Sequence, residues 1–139
     1  MQNLTISDGE NLSVTLGDYG ARILAVDFKG ESLALGYKTK EQYLVDPFYL
    51  GASIGPISNR IAHGKLSIHG QEFQMPLNEG NHTLHSGGIG FDKLVWQLRS
   101  QQSDSVCYAL DFDLETVGLK GQLSVLANYA VSNLSLIHI

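Results

Sequence analysis

The 139-residue chain is long enough for one domain with its own core and too short for two. Hydrophobic residues make up 43% and charged ones 17%, a balance that excludes a disordered or solvated acidic segment. The formal net charge is -5 and the nine Lys and Arg are scattered, so the basic cluster that a phosphate backbone requires is missing and no nucleic-acid partner is expected.

The N-terminal stretch MQNLTISDGE has neither the basic start nor the apolar block of a secretory signal. No apolar run approaches the roughly 20 residues that span a bilayer. A cytoplasmic location without membrane attachment is therefore expected. The single cysteine, Cys107, cannot form an internal disulfide and sits in an alternating run, as a small half-buried apolar residue would.

Period-two alternation predicts strands along the chain. Leu12, Val14 and Leu16 alternate with Ser13 and Thr15, and GDYG then turns the chain. Leu24, Val26 and Phe28 form one face of the next strand. Lys38–Asp46 has room for one short helical turn, which Pro47 stops. The run KLSIHGQEFQMPL reads as a hairpin, with Leu66 and Ile68 before a His69-Gly70 turn and Phe73, Met75 and Leu77 after it. Val106, Tyr108, Leu110, Phe112 and Leu114 alternate strictly. Past GLKG, so do Leu123, Val125, Ala127, Tyr129 and Val131. The final LSLIHI still reads as a strand. An apolar edge without a polar close invites aggregation, so the fold is expected to be incomplete at its C-terminus.

The fifteen glycines and many β-branched or aromatic residues fit strands joined by tight turns. The expected class is all-β, an antiparallel β-sandwich, with residues 1–139 forming one domain or part of one.

Two loops carry the candidate chemistry. In GASIGPISNRIAHGK, Asn59 and Arg60 stand beside the apolar Ile61 and Ala62. An arginine there either pairs with a carboxylate or carbonyls, or offers its fixed donors to the oxygens of a ligand. In NHTLHSGGIGFDK, His82 and His85 suggest a metal, yet a zinc site needs three protein ligands. The spacing is not helical, no carboxylate follows at a ligand interval, and His63, His69 and His138 fall at unrelated places. No metal and no organic cofactor is expected. SGGIG lacks the Gly-Lys-Ser/Thr ending of a phosphate-binding loop. Phe91 and Trp96 read as core residues, Trp96 having a lesser claim as a sugar-stacking platform.

Together the two loops resemble the aldose 1-epimerase (galactose mutarotase) family. Asn59, Arg60 and Ile61 match its Gly-rich segment ending in Asn-Arg-Ile. Leu84, His85, Ser86 and Gly87, then Gly90, Phe91, Asp92, Lys93 and Trp96, match its Leu-His-Gly-Gly and Gly-Phe-Asp-Lys motifs. LGDYGARILAVDFKG resembles the family's first hairpin. Pro56 and Ser86 depart from the common pattern, where Arg and Gly are usual.

The resemblance implies a galactose mutarotase-like sandwich of which this chain is the N-terminal portion. It implies interconversion of the α and β anomers of free hexoses by acid–base ring opening, without metal or cofactor. Asn59, Arg60 and His85 would be substrate-binding, Gly87, Gly90 and Asp92 would support the loop, and His82 would be a bystander. The family's general-acid histidine and general-base glutamate have no matching position before Ile139, so the chain alone is expected to be inactive. Two alternatives are a non-catalytic carbohydrate-binding β-sandwich and a sandwich whose loop residues are structural.

Overall fold

The computed structural model describes residues 1–132 and the backbone of strand Ser135–His138; Asn133, Leu134 and Ile139 lie outside the described residues. Two antiparallel four-stranded sheets carry the fold. The first is a meander of β1 (Asn3–Ser7), β2 (Leu12–Gly17), β3 (Arg22–Phe28) and β4 (Glu31–Ser32). After a five-residue helix α1 (Lys40–Leu44) come two ribbons. They pair β5 (Arg60–Ala62) with β8 (His82–Leu84), and β6 (Lys65–Ile68) with β7 (Gln71–Gln74). The second sheet contains β9 (Gln97–Gln101), β10 (Ser105–Asp113), β11 (Gln122–Ser132) and β12 (Ser135–His138), in the order β12-β11-β10-β9.

The alternation in β10 shows why these segments are strands. Val106, Tyr108, Leu110 and Phe112 are buried, while Asp111 and Asp113 face solvent. β11 lies in register, Tyr108 opposite Ala127 and Val106 opposite Tyr129. Ile6, Val14 and Leu16 of the first sheet join the same core, where β1 and β2 approach β10 and β11. Burying each large aliphatic or aromatic side chain is worth about 1.5–3 kcal/mol. A charge at Val14, which is fully buried, would break this contact outright.

The hairpin expected at His69-Gly70 is present, Ile68 pairing with Gln71 around a two-residue turn with both φ positive (50° and 78°). Leu77, expected on its inner face, lies past the end of β7 and is half exposed. In β3 a register shift opposite Thr15/Leu16 changes the expected face. Ile23 packs against the main core with Val26 and Phe28, while Leu24 is buried outside that cluster. Leu114 ends the β10 alternation by entering a 3₁₀ turn capped by Asp113. Among the described residues no helix is long and apolar enough to cross a membrane.

Candidate functional site

The β5–β8 ribbon positions the site. It has three pairs, Arg60–Leu84, Ile61–Thr83 and Ala62–His82. Its inner face is anchored because Ile61 packs on the core and the buried Thr83 donates its hydroxyl to the Pro76 carbonyl at 2.6 Å. Arg60 and Ala62 are left on the exposed side.

Where the ribbon ends, Asn59 and His85 close on each other. The His85 amide donates to the Asn59 carbonyl at 3.1 Å, and the Asn59 amide donates to His85 Nδ1 at 3.0 Å. Both residues are left-handed, with φ of 66° and 51°. That conformation costs an L-residue about 1–2 kcal/mol, and the reciprocal bonds help hold it. Because Nδ1 accepts, the neutral imidazole carries its proton on Nε2 and presents it as a donor.

Arg60 sits beside this junction and is paired with a carboxylate. Its Nε and Nη2 donate to the two oxygens of Glu79 at 2.5 and 2.6 Å. The side chains are 60% and 37% exposed, so the pair sets geometry more than stability. The guanidinium holds the Glu79 carboxyl below its ordinary range, and Glu79 in turn raises Arg60.

Ser86 joins the two loops: its hydroxyl accepts from the Ile57 amide and donates to the Ile57 carbonyl, each at 2.8 Å. Gly90 is required by close approach, since a Cβ there would lie 2.8 Å from Asp92 Oδ1 and 2.9 Å from the Gly55 carbonyl. Gly87 is required by its φ of 89°. The Gly55–Pro56 peptide is cis. Asp92 is buried beneath the loop. Burial pushes its carboxyl above the ordinary value, against the opposing pull of Lys93, its own backbone amide, Arg22 and His85.

Two residues that the sequence reading passed over organise this region. Arg22 is buried and bonds Asp46 at 3.0 Å, with side-chain exposures of 2% and 1%. It also donates to the carbonyls of Tyr19 (2.9 Å) and Asp92 (3.0 Å). Asp46 in turn accepts from Tyr37 and from the amides of Phe48 and Leu50. Tyr49, inside that turn, has a φ of 58° and sets its ring edge-on against His85, centroids 4.7 Å apart. The signal for Arg22 was its place in an apolar strand; Tyr49 gave none.

Trp96 is a core residue, 2% exposed, donating its indole N–H to the Phe91 carbonyl and meeting the Phe91 ring edge-to-face. His82 is held apart from this junction by its own bond, its Nδ1 accepting from the His63 amide at 3.2 Å. Among the described residues no group of three or more His, Cys, Asp or Glu clusters as metal ligands do; the side chain of His138 lies outside that description.

The fold defines the class first. A C. elegans GalM/aldose epimerase homologue superposes with a TM-score of 0.90 at 26% identity, over 95% of this chain and 42% of that one. Galactose 1-epimerase from Lactobacillus acidophilus NCFM superposes with a TM-score of 0.81 at 25% identity, over 96% and 45%. The architecture is thus the galactose mutarotase-like, antiparallel all-β fold.

The family model for aldose 1-epimerase matches residues 2–139, and the chain belongs to that family. It is 33% identical over 135 residues to the aldose 1-epimerase of Escherichia coli (strain K12), covering 94% of this chain and 39% of that protein. It is 32% identical over 127 residues to the galactose mutarotase of Mus musculus, covering 88% and 37%. The chain therefore spans about two fifths of the length of the curated relatives it matches.

Proposed function

We propose that residues 1–139 form the N-terminal, hexose-binding wall of a single mutarotase-like domain, in a protein that interconverts the α and β anomers of free hexoses such as galactose and glucose. The observation that carries the reading is the Asn59–His85 junction, with its Nε2–H donor, standing next to Arg60. The His85 Nε2–H donates to the ring oxygen or a neighbouring hydroxyl. Glu79 engages Nε and Nη2 of Arg60, which leaves both Nη1 donors for sugar hydroxyls. The Asn59 amide group adds a further contact, and Gly87, Gly90 and Asp92 keep the loop in shape.

Ring opening then needs a group that protonates the ring oxygen and another that takes the anomeric hydroxyl proton. In this account those two groups, a histidine and a glutamate, come from sequence beyond Ile139. Each such group contributes about 10²- to 10⁴-fold to rate, so residues 1–139 alone should add nothing to spontaneous mutarotation. Polarimetry of α-D-galactose tests both halves of the reading. The chain alone should match the buffer rate, and a longer form supplying both groups should exceed it. In that longer form Arg60→Ala and His85→Ala should each lower kcat/KM; unchanged kinetics would make the loop residues structural.

A further inference from the structure

Asn59 holds the His85 ring by one hydrogen bond, at Nδ1. The second restraint is Tyr49. Its ring meets the imidazole edge-on at 4.7 Å and 71°. A tyrosine at φ 58° is a backbone outlier, and bulky residues remain there only where surrounding structure dictates it.

That surrounding structure is the buried Arg22–Asp46 pair. Asp46 takes the amides of Phe48 (2.9 Å) and Leu50 (2.7 Å), on either side of Tyr49. The Ala52 amide closes back onto the Tyr49 carbonyl at 3.1 Å, and the Ile23 amide of β3 holds the Gly51 carbonyl at 2.9 Å. A Cβ on Gly51 would lie 1.9 Å from the Ile23 carbonyl, so the turn is pressed against the sheet. Burial, helped by Asp92, Glu79 and Asp46, raises the Tyr49 phenol and keeps it neutral beside the imidazole.

We propose that Tyr49 is a positioning residue, held in left-handed conformation by the Asp46 turn in order to fix the ring of His85 toward the sugar. The link to sugar rests on the function proposed above; the orientation of His85 does not. The experiment uses long-range ¹H–¹⁵N correlations of the histidine rings in the 139-residue chain, with His85 assigned through His85→Gln. Wild type should show one protonated and one unprotonated nitrogen. Tyr49→Gly removes the ring at a φ that glycine adopts freely, so the fold should persist while the separation between the two nitrogen shifts collapses. Tyr49→Phe should keep the wild-type pattern.

Wild-type nitrogen shifts in Tyr49→Gly would overturn the proposal. If that variant loses its folded amide dispersion, Tyr49→Asn, which also tolerates left-handed backbone, is read in the same way. Titration with galactose supplies the second arm. Tyr49→Gly should bind about tenfold more weakly, the worth of one well-oriented hydrogen bond, with Tyr49→Phe unchanged. If wild type binds and Arg60→Ala does not, but Tyr49→Gly binds as wild type, the positioning role falls and the sugar reading stands. If wild type itself fails to bind, the sugar reading falls, and the nitrogen shifts alone decide the role of Tyr49.

Discussion

The backbone amide of Asn59 donates to Nδ1 of His85 at 3.0 Å, across 26 residues of sequence. The bond belongs to the main chain, so the two functions assigned to Asn59 are separable. Asn59→Gly suits the φ of 66° and keeps the amide, but removes the side chain. His85 ring-nitrogen shifts should stay as in wild type, while galactose affinity should fall several-fold to about tenfold. A shift in the His85 signals would mean that the side chain, not the backbone, sets the imidazole.

Arg22 and Asp46 make a second test, of stability. Both side chains are almost fully enclosed, and Arg22 spans β3, the Asp46 turn and the Asp92 carbonyl. Removing one partner leaves an uncompensated buried charge, which typically costs about 3–5 kcal/mol. Arg22→Met should show a loss of that order in urea unfolding. Because it also frees the turn that carries Tyr49, the ring-nitrogen pattern of His85 should blur in the same variant.

Two carboxylates give opposite pH signatures. At Asp46, burial pushes the pKa up, but bonds from the Phe48 amide, the Tyr37 hydroxyl, the Leu50 amide and Arg22 outweigh it and hold the carboxyl below its ordinary value. Its stabilising contribution is fully present above the unfolded value near ~3.9 and is lost as pH falls through the lower folded value. At Asp92, burial dominates and the folded value is raised. Ionised Asp92 therefore costs stability at neutral pH, and that cost is lifted as pH falls through the raised value. The stability difference between Asp92→Asn and wild type should favour the variant more at pH 7 than at pH 4. For Asp46→Asn the variant's disadvantage should shrink as pH falls below about 4.

Tyr108 tests the core. Its hydroxyl is buried with no hydrogen-bond partner among the described residues, and burial, with Asp18 and Tyr129 adding, pushes the phenol up to about 12. Leaving a buried polar group unpaired costs about 1–3 kcal/mol, whereas the ring itself packs well. Tyr108→Phe should raise the unfolding free energy by up to that amount. A drop would reveal a partner for the hydroxyl.

Strict alternation made the central strands legible. β10 and β11 each carry an apolar row that only one sheet face can bury, and β6–β7 carried its own turn chemistry in His69-Gly70. The polar edge strand β9, QLRSQ, is exposed throughout and has no such row, so nothing in its sequence announces a strand. β5 and β8 are three residues each, too short for a period, and exist because Ile61 and Thr83 are pinned to the body of the fold. Leu24 reads as a partner of Val26, but it is the extra residue of β3 where the register shifts opposite Thr15/Leu16.

The site was legible as motifs, not as geometry. Asn59, Arg60 and His85 stood out by residue type and resemblance, and the structure brings Asn59 and His85 together with Arg60 alongside. Glu79 and Tyr49 were invisible because their roles arise from loop conformation: a bidentate pairing across the ribbon and a left-handed tyrosine. Arg22 resembled any strand arginine until the fold closed four groups around it.

The most direct measurement is a titration of the ¹⁵N-labelled chain with D-galactose, followed by backbone amide and histidine side-chain shifts. The account predicts saturable changes confined to Asn59, Arg60, His85, Gly87 and the Tyr49 turn, lost in Arg60→Ala. Changes centred elsewhere, or none up to galactose concentrations where wild-type shifts should saturate, would contradict the assignment of this face as a hexose-binding wall.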